Sequence, residues 1–130
     1  MTETINSYKD LIVWQRSIEL VTSIYKLTER FPATEIYGLT SQMRRSSVSI
    51  PSNIAEGRRR GTRKDYLQFL RVAYGSGSEL ETQLLIAQKL SFGDNLAYNR
   101  VGGLLEEVMK MLNVMIKKIN PASPSNEATS

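Results

Sequence analysis

Seven cationic side chains lie between positions 44 and 64: Arg44, Arg45, Arg58, Arg59, Arg60, Arg63 and Lys64. A guanidinium group donates two parallel hydrogen bonds to a phosphate, and each phosphate neutralised releases counterions. The chemistry this set suits is therefore the binding of a polyanion. The net charge of the chain is +4, but residues 41–71 hold eight basic and two acidic side chains, a net of +6, which leaves −2 for the remainder. Asymmetry of that kind points to an anionic partner more strongly than the total does. On a continuous helix Arg44 and Arg58, fourteen residues apart, project within about 40° of each other and about 21 Å apart, and Arg45 and Arg59 repeat the relation. Of the aromatics that could stack on bases only Tyr66 is close in sequence, so phosphate contact rather than base readout is expected.

The same residues have an ordinary structural use. Arg44 and Arg45 can pair internally with Glu79 or Glu81, while the cluster from 58 to 64 forms a solvated corner. Glu56 precedes Arg60 by four residues, the spacing of a surface ion pair that contributes a few tenths of a kcal/mol. Only Glu56 is near Arg58, Arg59 and Arg60 in sequence, and three adjacent like charges do not serve stability.

Catalytic chemistry has little to work with. There is no histidine and no cysteine, which removes the commonest general base, the commonest transition-metal ligand, thiolate sites and disulfides. A di-iron carboxylate bundle needs Glu-x-x-His pairs that this chain does not contain. A serine nucleophile needs an adjacent base, and no lysine or carboxylate stands at a recognisable spacing. "GRRRG" and "GSGS" match neither phosphate-loop fingerprint and follow no strand. No catalytic residue, metal site or cofactor is expected.

The elements that must carry the cations read as helices. With 130 residues and 41% hydrophobic content the chain has the size of one domain, and no apolar run approaches the roughly 18–20 residues of a membrane span. "MTETINSYKD" lacks the pattern of a secretory signal, so a cytoplasmic location is expected. From Leu11 to Phe31 two apolar rows appear: Leu11, Trp14, Ile18, Val21 and Tyr25, and Val13, Leu20, Ile24, Leu27 and Phe31. Together they span about 200°, so either both are buried in one compact bundle or a second packing partner covers one of them. Pro32 is expected to end this helix. A second segment runs from Leu39 to about Arg60, a third from about Arg63 to Leu90 with Ala73 and Gly77 in its seam, and a fourth carries the row from Val101 to Ile119. "SFGDN" supplies the turn before the fourth. "PASPSNEATS" has no apolar periodicity, so residues 121–130 read as a disordered tail after a bundle over residues 1–120. The fold class is all-α: an antiparallel up-down-up-down four-helix bundle.

Pro51 interrupts the second segment on paper. Its ring removes a donor and crowds the carbonyl of Ser47, at about 3 kcal/mol in a helix interior. Two outcomes compete: a break at Ile50 with a restart capped by Asn53 and Glu56, or a kinked but continuous helix in which the hydroxyls of Ser46, Ser47 and Ser49 satisfy the freed groups. The seam keeps its phase from Met43 through Ser47 and Ile50 to Ile54, which favours the kink.

"YKDLIVWQRSIELVTSIYKLTERFP", "YGLTSQMRRSSVSIPSNIAEGRRR" and "FLRVAYGSGSELETQLLIA" together resemble the four-helix bundle proteins encoded by intervening sequences of bacterial 23S rRNA genes, over residues 8–119. The resemblance implies an antiparallel bundle assembled as a ring-like homopentamer, and no catalytic residues. It is also similar in fold to the accessory variability determinant of diversity-generating retroelements, a basic pentamer that binds a reverse transcriptase and nucleic acid. The expected role is a noncatalytic oligomeric scaffold binding RNA or single-stranded DNA through its basic turns. The alternative is an adaptor docking a nucleic-acid-handling protein such as a reverse transcriptase.

Overall fold

The computed structural model describes residues 7–120; the expected tail at 121–130 lies outside them. Four helices carry the chain: α1 (Ile12–Thr28), α2 (Leu39–Arg60), α3 (Arg63–Lys89) and α4 (Asn95–Ile119), with short 3-10 turns at Tyr8–Asp10 and Ala33–Glu35. No strand occurs among the described residues. α2 packs on α1 and most extensively on α3, and α4 packs on α1 and α3.

The start signals are local. Leu39 N–H donates to Glu35 Oε1 at 3.1 Å, so a carboxylate from the preceding turn caps α2, whose own first residue follows a glycine. Thr62 Oγ1 accepts from Asp65 N–H at 3.1 Å to open α3, and Asp94 Oδ1 accepts from Leu96 N–H at 3.1 Å to open α4. α1 stops at Thr28, short of Phe31. Arg30 and Phe31 donate to the carbonyls of Leu27 and Thr28 in a tighter turn, which swings the Phe31 ring to 5.5 Å from that of Phe92. α4 begins before its readable apolar row because its first turn, with Leu96 76% exposed, is held by the Asp94 cap.

The core takes one row from each helix: Leu20, Ile24 and Leu27 from α1; Met43, Ile50 and Ile54 from α2; Leu70, Ala73 and Leu80 from α3; Val101, Val108 and Leu112 from α4. Of the two rows on α1, the one through Val13, Leu20 and Ile24 is buried, whereas Ile18 and Tyr25 in the other remain 37% and 41% exposed.

α2 is helical without interruption from Leu39 to Arg60, through Pro51. Asn53 is no cap: its side-chain amide donates to the Ser49 carbonyl at 2.8 Å and to Ser49 Oγ at 2.9 Å, from the helix interior. The serine hydroxyls do not all bond back to their own helix backbone as expected. Ser47 Oγ donates to the Arg44 carbonyl at 2.9 Å, while Ser49 Oγ lies 2.7 Å from Ser76 Oγ and Ser46 Oγ is 3.3 Å from Glu79 Oε1, both on α3. Packing beats local propensity here, because buried Ser46, Ser47, Ile50, Pro51 and Ile54 hold the segment between neighbours.

The α2–α3 contact is close because its residues are small. As the chain advances along α2 through Ser46, Ser49 and Gly57, its partners on α3 recede through Glu79, Ser76 and Phe69. A Cβ on Gly57 would sit 2.7 Å from Phe69 Cβ. Both atoms are fixed by backbone, so no rotamer change relieves the collision. One on Gly77 would strike the flexible Met109 sulfur of α4 instead. Gly75, by contrast, faces open space. In urea unfolding, Gly57→Ala should therefore destabilise by about 1–3 kcal/mol despite better helix propensity, while Gly75→Ala should stabilise by about 0.5–1 kcal/mol. Equal effects of the two would contradict the close approach.

Candidate functional site

α2 ends where Gly61 takes a left-handed φ of 85°, and Thr62 caps the next helix. This short turn sets Arg58, Arg59 and Arg60, in the last turn of α2, beside Arg63 and Lys64 in the first turn of α3. Arg63 Nη2 donates to the Ile119 carbonyl at 3.1 Å, which ties the last residue of α4 to the same corner and brings in Lys117 and Lys118. Arg59 lies over the Tyr8 ring, 5.4 Å from its centroid, so Lys9 joins from the chain before α1. Arg58, Arg59, Arg60, Arg63 and Lys64 are all exposed.

Several forces hold this corner without neutralising it. Arg60 Nε donates to Glu56 Oε2 at 2.9 Å, the expected pair, and its guanidinium sits 5.0 Å from the centroid of Phe69. Cations over aromatic faces gain about 0.5–1 kcal/mol at exposed sites. Positive charge at a helix C-terminus is favoured by the macrodipole by about 0.3–1 kcal/mol, which suits Arg58–Arg60 on α2 and Lys117 and Lys118 on α4. Arg63 and Lys64 stand at the unfavourable end of α3, where Asp65 in the first turn offsets them. Tyr66 is half-buried under Gly57, and burial pushes its phenol above the ordinary value while Arg58 pulls the other way.

Arg44 and Arg45 are not part of this corner. About 20 Å of helix rise separates Arg45 from Arg58. Arg44 is internal, but its partners are on α1 rather than Glu79 or Glu81. Its Nε donates to Thr28 Oγ1 at 2.9 Å, and its guanidinium stacks 4.5 Å from the Tyr25 centroid. Thr28 Oγ1 in turn donates to the Ile24 carbonyl at 2.7 Å. Arg45 is exposed toward α3 and makes no ion pair with Glu79 or Glu81.

Sequence reasoning missed Lys9, Lys117 and Lys118, and it missed Tyr8 and Phe69 under the arginines. Basic residues in the last turn of α4 were a readable signal, since a helix pattern ending at Ile119 puts them at the end of the bundle. Tyr8 was not readable, because only the fold brings the 3-10 turn against the end of α2. As for catalysis, the Ser49 hydroxyl meets Ser76 and Asn53, neither of which is a base. Among the described residues no group of three acidic side chains could hold a metal ion, and no helix is long and apolar enough to cross a membrane.

A small all-α domain of four helices with a cationic end is the class these features define. The chain belongs to the 23S rRNA-intervening sequence protein family, whose model matches residues 9–114. It is similar in structure to a protein of unknown function from the S23 ribosomal protein family of Bacteroides thetaiotaomicron, with a TM-score of 0.73 and 25% identity over 82% of this chain and 99% of that one. No curated protein matches the chain.

Arg44→Ala should lower stability by about 1–2 kcal/mol in urea unfolding, through the lost Thr28 bond and the Tyr25 stacking. It should leave the affinity for a polyanion unchanged within about twofold. A change in affinity without a change in stability would return Arg44 to the binding surface.

Proposed function

We propose that this protein is a noncatalytic oligomeric scaffold whose cationic corner binds RNA or single-stranded nucleic acid through phosphates. In this reading the helices run up-down-up-down, so that the end of α2, the start of α3 and the end of α4 share one end of an antiparallel bundle. The observation that carries it is this convergence of exposed arginines and lysines from separate elements, opposed by few carboxylates. One pair, Arg60 with Glu56, is spoken for by a neighbour in the same helix. Arg59 lies over the Tyr8 ring and stays exposed.

Assembly is supported by the second row on α1. Ile18 and Tyr25 are joined on the same side by Val48 of α2, one turn beyond Arg44, and by Ile36 of the connecting turn, all of them exposed. Single exposed apolar side chains are ordinary, but a row of them asks for cover. Copies of this chain packed on that row, a pentameric ring by family resemblance, would repeat the corner around the particle. Repetition multiplies weak phosphate contacts, because the second and later sites bind at high effective concentration.

Fluorescently labelled RNA titrated at two salt concentrations tests the binding. The variant Arg58→Ala/Arg59→Ala/Arg60→Ala should lose at least about tenfold in affinity at low salt, with a shallower dependence of log K on log salt by about two to three. Equal affinity and equal slope would remove the proposal. Light scattering coupled to gel filtration tests the assembly: several chains per particle are expected, falling to one in Ile18→Glu/Tyr25→Glu. A wild-type particle of single-chain mass would overturn it.

A further inference from the structure

A second polar feature lies on the α2–α3 side of the molecule, away from the cationic corner. It is a cleft of about 230 Å³, with Arg45, Ser46 and Ser49 on the α2 wall and Ser76, Glu79 and Gln83 on the α3 wall. "QMRRSSVSIPSN" and "GSGSELETQL", the two stretches that distinguish the sequence, face each other across it.

Three features of the cleft are unfinished. Arg45 and Glu79 bear opposite charges and line the same space, yet they make no ion pair with each other or with any other described residue. Glu79 accepts one hydrogen bond, from Ser46 Oγ at 3.3 Å, which leaves most of its acceptor capacity open. Gln83 is 8% exposed, and its Oε1 is buried with no hydrogen-bond partner. A buried orphan acceptor is destabilising, and native folds keep few of them. At the floor, Ser49 and Ser76 share one hydroxyl proton over 2.7 Å, so one hydroxyl proton of the pair is left to donate.

We propose that this cleft is a binding site for a free α-amino acid. The ligand carboxylate takes the two parallel donors of Arg45 and the spare serine proton. The ligand ammonium takes the Glu79 carboxylate and Gln83 Oε1, the terminal amide of Gln83 turning about its soft last torsion to meet it. Other classes fit less well. An anion alone is repelled by Glu79, a cation alone is repelled by Arg45, and a nucleobase finds no aromatic platform. The space is smaller than the roughly 300–1,000 Å³ of pockets for drug-sized ligands, as a small metabolite requires. A ligand held by both walls would bridge α2 to α3 and stabilise the folded state by mass action.

The test is thermal unfolding and calorimetric titration of the full chain with each of the twenty L-amino acids at about 10 mM, with the amine and the carboxylic acid corresponding to any hit as controls. At least one amino acid should raise the melting temperature and bind one per chain. Arg45→Ala and Glu79→Ala should each weaken that binding by at least about tenfold. Gln83→Leu separates a site from a merely structural residue, since it should leave the unliganded protein equally or more stable and yet abolish the shift caused by the amino acid. The proposal is overturned by no shift with any amino acid, by a shift that survives both charge variants, or by the amine or acid alone binding as well as the zwitterion.

Discussion

The close contact between α2 and α3 is the constraint from which the rest follows. α2 is poorly suited to stand alone: residues 41–53 include Ser41, Ser46, Ser47, Ser49 and Ser52 together with Pro51 and Asn53, none of them strong helix formers. Short isolated helices are marginal even with good sequences. What holds α2 is burial of Met43, Ile50 and Ile54, joined by a line of small and polar contacts to α3. The serines that weaken the helix by propensity are the residues that let α3 approach. Gly57 leaves no room for a side chain against Phe69, and Ser49 and Ser76 meet hydroxyl to hydroxyl.

Two polar features are consequences of that contact. At its end, the left-handed Gly61 and the Thr62 cap return the chain so tightly that the cations closing α2 and opening α3 become neighbours. Along its length, side chains too large for the seam turn outward, and their polar ends line the α2–α3 cleft. The corner is tolerated because most of its charge is placed where helix C-termini and aromatic faces favour it. Stability is therefore not sacrificed in proportion to the charge, and the arginines remain exposed to solvent. The two features differ in chemistry: the corner is dominated by positive charge, whereas the cleft balances one cation against one anion.

The fold was legible to the extent that it depends on periodicity. The limits of α2 and α3 follow from Leu39, Gly61 and Thr62, and the core rows through Ile50 and Leu80 were readable at steps of three and four. The phase kept across Pro51 identified a helix that a local proline rule would have broken. The end of α1 was not readable, because Phe31 is drawn into the core by Phe92, more than sixty residues away in sequence. Of the site, Arg58–Lys64 could be found from charge alone. Whether Arg44 belonged with them could not, since its partner is a threonine hydroxyl on α1 and not a carboxylate. Lys117 and Lys118 were readable at the end of the α4 pattern, whereas Tyr8 becomes part of the corner only through tertiary packing. The unpartnered Gln83 oxygen has no sequence signature at all.

The absence of cysteine from the sequence offers a direct measurement of the α2–α3 contact. Replacing Ser49 and Ser76 together by cysteine puts two thiols where the hydroxyl oxygens meet at 2.7 Å, and a disulfide closes only between side chains that face each other at such close quarters. On air oxidation the pair should close within one chain, seen as the loss of two hydrogens by mass spectrometry and a reduction-sensitive gel shift. Ser52→Cys/Ser78→Cys, at exposed positions on the same helices, should stay reduced under the same conditions. Free thiols at 49 and 76, or bridges only between chains, would mean that α2 does not pack against α3 along this line.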